Sequence, residues 1–250
     1  MTRRAVLVTG ASGGIGAAIA RAFADAGDQV VLHYASGRER AEELLATLPG
    51  DGHHAVGADI TDPDGARHLV EATVEAVGRL DVLVNNAGVS RPHHPVLESS
   101  YEDWQAAWQR MVAVNLTGPA NVIHRAVQHM RDRGGRIINV GSRGAYRGTP
   151  LMPAYAATKA GLHALGQTLA LSLAQHGISV TAVAPGVVDA GMAEDLLNGP
   201  DADAVRAQSP FGRVATAEEV AHAVLYLASP QAEFASGTVI DVNGASYLRA

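Results

Sequence analysis

Tyr155 and Lys159, in the segment YAATK, have the residue types and the spacing of an acid–base pair. Lys159 is the only lysine among the 19 basic residues of the chain. Side chains four residues apart lie on one face of a helix, where an ammonium beside a phenol favours the ionised phenol. An ammonium suits this position better than a guanidinium, because it is a compact charge with three rotatable donors. The pair predicts a tyrosine that exchanges a proton with a substrate.

A glycine-rich turn, TGASGGIG, follows the first apolar run. Gly10, Gly14 and Gly16 are spaced as GxxxGxG ahead of an alanine-rich helical pattern. A turn without side chains lets the backbone approach a pyrophosphate, and the following helix offers free N–H groups and the positive end of its dipole. The turn predicts a dinucleotide site. The alternative is a turn that only packs a strand against a helix.

Short β-branched runs alternate with longer alanine-rich patterns along the chain. The predicted strands are 5–9, 29–34, a shorter one near 53–57, 81–85, 136–140, 178–184 and 238–242. The predicted helices are 14–26, 38–48, 63–77, 101–133 as one helix or an interrupted one, 154–176 and 217–228. Strand runs that are apolar throughout are typical of parallel strands covered on both faces. The pattern predicts an α/β fold with a single Rossmann-like domain over residues 1–250, in which helices flank a doubly wound parallel sheet of about seven strands.

The composition excludes several classes of function. A net charge of −6 with scattered arginines gives no basic field, so a nucleic-acid partner is not expected. The absence of cysteine excludes disulfides, thiolate metal sites and cysteine nucleophiles. His93 and His94 lack further ligands at metal spacing and are predicted to be surface residues, so no metal site is expected. Without an 18-residue apolar span or a signal-peptide pattern, we expect a cytoplasmic protein with no membrane partner.

Together these motifs resemble the short-chain dehydrogenase/reductase family along nearly the whole chain. The matching elements, in the order of the family, are TGASGGIG, Asp59, NNAG at 85–88, Asn115 in VNLTG, Ser142, YAATK and APG at 184–186. The resemblance implies a catalytic tetrad of Asn115, Ser142, Tyr155 and Lys159. In it Tyr155 protonates the oxygen of a ketone and Ser142 polarises the carbonyl, which stabilises the charge as it develops. Lys159 also bonds the nicotinamide ribose, and Asn115 holds a water. Taken singly, Ser142 could be a turn residue and Asn115 a structural amide.

The resemblance also implies the residues that contact the cofactor. Asp59 is expected at the adenine amino group, although it could instead cap a helix. NAD-specific members carry an acidic residue at the end of the second strand, where this chain has Tyr34. Without a carboxylate to repel a 2′-phosphate, and with Ser36 and Arg38 nearby, NADP(H) is favoured over NAD(H), unless Arg38 is only a solvated helix residue. The expected contacts are Gly10, Ser12, Gly14, Ile15, Gly16, Tyr34, Ser36, Arg38, Asp59, Ile60, Asn86, Ala87, Gly88, Tyr155, Lys159, Pro185, Gly186 and Val188.

The predicted function is NADP(H)-dependent hydride transfer between the nicotinamide and a ketone or secondary alcohol. One alternative is a reductase of 3-oxoacyl thioesters on carrier protein or coenzyme A, although Leu171 stands where carrier-dependent members have a basic residue. A remote alternative is a catalytically silent regulator that binds a dinucleotide. Ala190 stands where the family often has a threonine for the nicotinamide amide.

Several residues leave the substrate and the assembly open. Arg143 and Arg147 could pair with an anionic substrate or be solvated. The irregular segment 189–212 is expected to be a lid over the substrate. Trp104 and Trp108 indicate packing or a subunit interface. The family resemblance implies a homotetramer.

Overall fold

A parallel sheet of seven strands forms the centre of the computed structural model, which describes residues 3–249. The strands are β1 (Ala5–Val8), β2 (Gln29–Tyr34), β3 (His54–Gly57), β4 (Val82–Asn85), β5 (Gly135–Val140), β6 (Ile178–Pro185) and β7 (Val239–Val242). Their order across the sheet is β3-β2-β1-β4-β5-β6-β7. Each strand end lies within one residue of its prediction, and the doubly wound sheet is confirmed.

Helices cover both faces of the sheet because neighbouring strand residues point to opposite faces. Val6 and Val8 pack in one core with the helices 14–25 and 217–227, whereas Leu7 and Leu83 pack in a second core with the helices 63–77 and 118–130. Within residues 3–249, every helix is too short or too polar to span a bilayer. The helices are α1 (Gly14–Asp25), α2 (Arg38–Thr47), α3 (Pro63–Val77), α4 (Tyr101–Val112), α5 (Gly118–Met130), α6 (Gly144–Arg147), α7 (Pro153–Leu173), α8 (Glu194–Leu197), α9 (Ala202–Arg206) and α10 (Ala217–Leu227).

The predicted helix 101–133 is interrupted by a π-helical turn, Ala113–Thr117, between α4 and α5. Pro119 has no N–H to donate to the carbonyl of Asn115, so the α-helical hydrogen-bond ladder is broken at this point. Within the turn, the Thr117 hydroxyl donates to the carbonyls of Val112 and Ala113, each at 3.2 Å. Such turns often mark functional sites, and this one carries Asn115.

The order of the strands places a crevice at the carboxyl ends of β1 and β4. Strand β1 pairs with β2 on one side and with β4 on the other, so the chain reverses direction across the sheet there. Ligands of open α/β sheets bind at this switch point. The glycine turn, NNAG, Ser142 and Pro185 all follow or end strands at this edge.

The segment 189–212 contains the short helices α8 and α9 and leaves this same edge of the sheet. Its base is closed by backbone pairing: Asp189 N–H donates to Ala215 O at 2.8 Å, and Ala215 N–H donates to Val187 O at 3.2 Å. The segment is therefore an excursion whose two ends are joined beside the crevice.

Candidate active site

The glycine turn is a cradle that side chains would fill. Gly10 and Gly14 have φ values of +64° and +57°, which favour glycine. A Cβ on Gly10 would lie 2.9 Å from Ala87 Cα, and a Cβ on Gly16 would collide with the Gly10 carbonyl. Helix α1 has no side-chain cap and no acidic residue in its first turn. Its free N–H groups are therefore available to a pyrophosphate, and the turn fits a dinucleotide.

Two residues that the sequence analysis did not single out hold this turn in place. Thr9 Oγ1 accepts hydrogen bonds from the Asn86 and Ala87 N–H groups at 2.9 and 3.0 Å. The buried His33 ring accepts from Gly10 N–H at Nδ1, 3.1 Å away, and donates from Nε2 to Ala58 O, 3.0 Å away. These partners require the neutral ring, and burial lowers the pKa of His33 accordingly. The only sequence signal for His33 was a polar residue inside an apolar strand.

Lys159 and Asn115 meet behind the turn of NNAG. The buried Lys159 Nζ donates to Val140 O at 2.8 Å. A Cβ on Gly88 would lie 3.4 Å from Lys159 Nζ and 3.3 Å from Asn115 Oδ1, so both polar groups flank this glycine. Asn115 is fixed by two bonds to the Val89 backbone, each 2.8 Å long. Burial lowers the pKa of Lys159 to about 8, because a charged ammonium loses its hydration there.

Ser142 and Tyr155 meet beside Gly144. A Cβ on Gly144 would lie 3.2 Å from Ser142 Oγ and 3.6 Å from Tyr155 Cε1, and Ser142 Oγ accepts from Gly144 N–H at 3.0 Å. Lys159 Nζ lies 5.9 Å from the centre of the Tyr155 ring. The structure thus brings together the four side chains predicted as the tetrad.

The pKa of Tyr155 differs from the expectation based on the lysine alone. Burial raises the pKa of Tyr155, and hydrogen bonding with Ser142 opposes this rise only in part. The ammonium of Lys159 is directed at the Val140 carbonyl rather than at the phenol oxygen. The phenol is therefore protonated at neutral pH, which suits a proton donor more than a ready base.

At the expected adenosine end of the crevice, Arg38 and Arg40 point in different directions. Arg38 forms an ion pair with Glu42 at 2.7 Å, and its side chain is 72% exposed. Arg40 instead reaches back over the glycine turn: a Cβ on Gly37 would lie 2.9 Å from Arg40 Nη2 and 2.7 Å from Ser12 Oγ. Arg38 is the arginine predicted from the sequence to lie near a 2′-phosphate, whereas Arg40 is the one that lies beside the turn.

Asp59 is not a helix cap. Its Oδ1 accepts from the Thr61 N–H and hydroxyl groups at 2.9 and 2.7 Å, which lowers the pKa of Asp59. Asp62 caps α3 instead. The ring of Tyr34, at the end of β2, lies against Gly57 of β3. The other expected contacts in this region are the exposed Ser36 and the buried Ile60.

The Pro185–Gly186 bend lies beside the catalytic loop. Pro185 O accepts from the Arg143 N–H at 2.8 Å, so the ends of β5 and β6 are joined just after Ser142. Val188 is buried at the base of the segment 189–212. The Ala190 methyl group lies 3.8 Å from where a Cβ of Gly14 would stand. Ala190 therefore faces the glycine turn, but it offers no hydroxyl there.

His94 is fully buried, so the prediction of a surface residue is wrong for it, whereas His93 is exposed. The ring donates from Nδ1 to Pro92 O at 2.9 Å and accepts at Nε2 from the Ala154 N–H at 3.1 Å. Helix α7 begins at Pro153, and the side chain of its N-cap residue, Met152, forms no capping hydrogen bond, so His94 satisfies one of the free N–H groups of the helix. Trp104 packs edge-on against the ring with centroids 5.9 Å apart, and Trp108 packs against Trp104.

We expect His94→Ala to lower the free energy of unfolding by about 2 kcal/mol, because it removes a helix cap and leaves a void against Trp104. His93→Ala is the matched control and should change stability by no more than about 0.5 kcal/mol. Urea denaturation of the two variants measures both effects. Equal midpoints for the two variants would contradict the capping role.

Comparisons with known proteins extend over nearly the whole chain. The family model described as Enoyl-(Acyl carrier protein) reductase matches residues 10–245. The chain is 37% identical over 251 residues to a 3-oxoacyl-[acyl-carrier-protein] reductase of Staphylococcus aureus, covering 99% of each chain. It is 39% identical over 247 residues to a cis-4-hydroxycyclohexanecarboxylate dehydrogenase of Sinomonas cyclohexanicum, covering 96% of this chain and 95% of that one.

Solved structures of dehydrogenases and reductases also match nearly the whole chain. A dehydrogenase/reductase from Sinorhizobium meliloti superposes with a TM-score of 0.90 at 35% identity, covering 99% of this chain and 96% of its own. A short-chain dehydrogenase/reductase from Brucella melitensis superposes with a TM-score of 0.90 at 32% identity, covering 98% and 97%.

Proposed function

Since the chain belongs to the short-chain dehydrogenase/reductase family and is an NAD(P)-dependent oxidoreductase acting on CH–OH donors, we propose that it uses NADP(H) to interconvert a ketone and its secondary alcohol. The observation that carries this proposal is the meeting of Ser142 with a protonated Tyr155 beside the buried Lys159. A regulator without catalysis would not need these groups together.

A bound nicotinamide supplies hydride to the carbonyl carbon or accepts it from the alcohol. During reduction the Tyr155 hydroxyl gives its proton to the carbonyl oxygen, where negative charge develops, and the Ser142 hydroxyl donates a hydrogen bond to the same oxygen. Lys159 then favours the tyrosinate that this transfer leaves. In the oxidation direction the same tyrosinate accepts the alcohol proton. Asn115 places its side-chain amide oxygen close to the Lys159 ammonium.

The cofactor is proposed to lie along the carboxyl edge of the sheet. The pyrophosphate would bind the glycine turn and the first turn of α1, while Asp59 and Ile60 would hold the adenine. The nicotinamide would lie between Lys159 and the Pro185–Gly186 bend. The other proposed contacts are Ser12, Ile15, Asn86, Ala87, Gly88 and Val188.

The preference for NADP(H) is proposed from the groups after β2. Tyr34 ends this strand in the place where NAD-specific members of the family have an acidic residue. Arg40 lies beside Ser12, and its guanidinium has no ion-pair partner among residues 3–249. A 2′-phosphate would gain a charge-assisted hydrogen bond from Arg40 and further ones from Ser12 and Ser36. Arg38 is already paired with Glu42 and contributes less.

We expect Arg40→Gln to lower the ratio of kcat/KM for NADPH to kcat/KM for NADH by roughly tenfold, which corresponds to about 1.4 kcal/mol. Arg38→Gln is the matched control from the same helix and should change the ratio by less than about threefold. Steady-state kinetics with both cofactors measures the ratio. A larger loss in the Arg38 variant, or a wild-type preference for NADH, would refute this assignment.

Reduction of a 3-oxoacyl thioester is the second candidate, because a relative with that activity in its name is 37% identical to this chain. One observation counts against a carrier-protein partner. Leu171 of α7 is 86% exposed, and it stands where carrier-dependent members of the family have a basic residue. A panel of simple ketones, 4-oxocyclohexanecarboxylate and an acetoacetyl thioester, followed by loss of NADPH absorbance, separates the candidates. Turnover of the thioester alone would favour the second candidate, and turnover of none would defeat both.

Assembly and closure are further parts of the proposal. We propose a cytoplasmic homotetramer, as the family resemblance implies, and the exposed apolar side chains of Leu171 and Phe234 are compatible with burial between subunits. We also propose that the segment 189–212 closes over the substrate, since its joined ends stand beside the crevice.

A further inference from the structure

Arg143 and Arg147 converge on one neutral acceptor directly after Ser142. Arg143 Nη2 donates to Gln208 Oε1 at 2.9 Å, and Arg147 Nη1 donates to the same oxygen at 2.7 Å. Arg143 Nη1 also donates to Ser246 Oγ at 2.5 Å. Two like charges thus share an amide oxygen that carries no formal charge.

The burial of Arg143 makes this arrangement costly unless a negative charge joins it. Arg143 is only 9% exposed, and burial together with the charge of Arg147 lowers the pKa of Arg143. A guanidinium nevertheless remains charged in proteins, so the cost cannot be relieved by losing a proton. Buried charges in proteins are normally paired with an opposite charge.

No carboxylate within residues 3–249 forms an ion pair with Arg143 or Arg147. Two acids, Glu219 and Asp241, line the same cavity as Arg143, but each is paired with another arginine: Glu219 with Arg213 at 2.6 Å and Asp241 with Arg249 at 2.7 Å. Arg143 and Arg147 therefore have no direct ion-pair partner among residues 3–249.

Arg143 also lines a cavity of about 210 Å³ at the carboxyl ends of β6 and β7. Gln208 and Ser209 from the segment 189–212 form one side, and Val242 and Ser246 form another. The cavity lies next to the catalytic loop, because Arg143 follows Ser142 and its N–H bonds to Pro185 O. The Nε atom of Arg143 makes no hydrogen bond to residues 3–249, and neither do Nε and Nη2 of Arg147.

We propose that Arg143 and Arg147 form a carboxylate-binding subsite, so that the preferred substrates are oxo acids and hydroxy acids. A carboxylate supplies the missing negative charge, and its two oxygens match the planar fork of a guanidinium. The subsite rests on the proposed ketone reduction, with the reacting carbonyl at Tyr155 and the acid group at the arginines. Gln208 links the subsite to the segment 189–212, so a bound carboxylate would also hold that segment in place.

The test compares oxo acids with their methyl esters, using 3-oxobutanoate, 4-oxopentanoate and 4-oxocyclohexanecarboxylate as probes. The measured quantity is kcat/KM for each acid divided by kcat/KM for its ester, with saturating NADPH. We expect the wild type to favour at least one acid, and Arg147→Gln to lower that ratio by about 10- to 100-fold. Arg147 is exposed, so this variant should fold. Arg131→Gln, at the opposite edge of the sheet, is the matched control and should keep the wild-type ratio.

A second measurement probes the subsite with acetate, a carboxylate that carries no ketone. Acetate should inhibit reduction of the preferred oxo acid competitively in the wild type, and its inhibition constant should rise about tenfold in Arg147→Gln. Reduction of the esters without any preference for the acids would overturn the subsite and leave the proposed reductase intact. An acid preference that persists in Arg147→Gln would also overturn the subsite, and so would acetate inhibition that is not competitive. Failure of both acids and esters would instead count against the proposed function.

Discussion

Tyr155→Phe should reduce turnover by at least ~10²-fold while NADPH still binds. The substitution removes one hydroxyl and keeps the ring, so packing in α7 should be preserved. The lost group is the one whose pKa burial holds high, and it meets Ser142 beside Gly144. Without it, the charge that develops on the carbonyl oxygen has only the Ser142 hydroxyl for stabilisation.

Two measurements on this variant separate chemistry from binding. Fluorescence titration with NADPH should give a dissociation constant within about threefold of the wild-type value, since the glycine turn is untouched. Single-turnover absorbance should then show the loss in the chemical step. Wild-type turnover in the phenylalanine variant would remove Tyr155 from the mechanism.

Lys159→Met should also abolish most turnover, by ~10²-fold or more, and yet make the protein more stable at neutral pH. The wild-type side chain is 4% exposed, and its only hydrogen bond within residues 3–249 goes to Val140 O. Methionine keeps similar bulk without a buried charge. We expect a gain of about 1–2 kcal/mol in the free energy of unfolding, measured by urea denaturation at pH 7. Lower stability in this variant would contradict the desolvation of Lys159.

The pH dependence of this difference follows from the lowered pKa of Lys159. The unfolded chain has the ordinary pKa of 10.5, whereas the folded protein has a pKa of about 8, so the unfolded state binds the proton more tightly. The cost of burial is complete below pH 8 and disappears as the pH rises towards 10.5. The stability gap between the variant and the wild type should therefore narrow over that interval. Because the chain has one lysine, the ¹⁵Nζ resonance of labelled protein reports this pKa directly.

The sheet, and the convergence of the four side chains proposed as the tetrad, could be predicted from the sequence because each depends on local signals. Apolar β-branched runs fix the strands, and the resemblance of the motifs to one family orders the carboxyl edge of the sheet. Even the π-helical turn at Asn115 has a local cause, since Pro119 cannot donate to the preceding turn.

The features that could not be predicted depend on contacts between distant residues. From the sequence, His94 is a histidine in a loop. Its burial and its capping role depend on the start of α7, which lies 60 residues further along the chain. Arg38 and Arg40 are the same residue type in one helix, and Arg40 is distinguished by its position beside Ser12, which lies 28 residues earlier in the chain. The high pKa of Tyr155 arises from burial, which no spacing of residues reports.

The most direct test of the account is to follow deuterium from the C4 position of NADPH into the product. Wild-type protein would be incubated with the preferred ketone and with each of the two C4-deuterated epimers of NADPH, and the alcohol analysed by mass spectrometry. We expect one epimer to yield alcohol with deuterium on the carbinol carbon, and Tyr155→Phe to form this alcohol far more slowly. Alcohol that forms without deuterium from either epimer, or at the same rate in both proteins, would contradict this expectation.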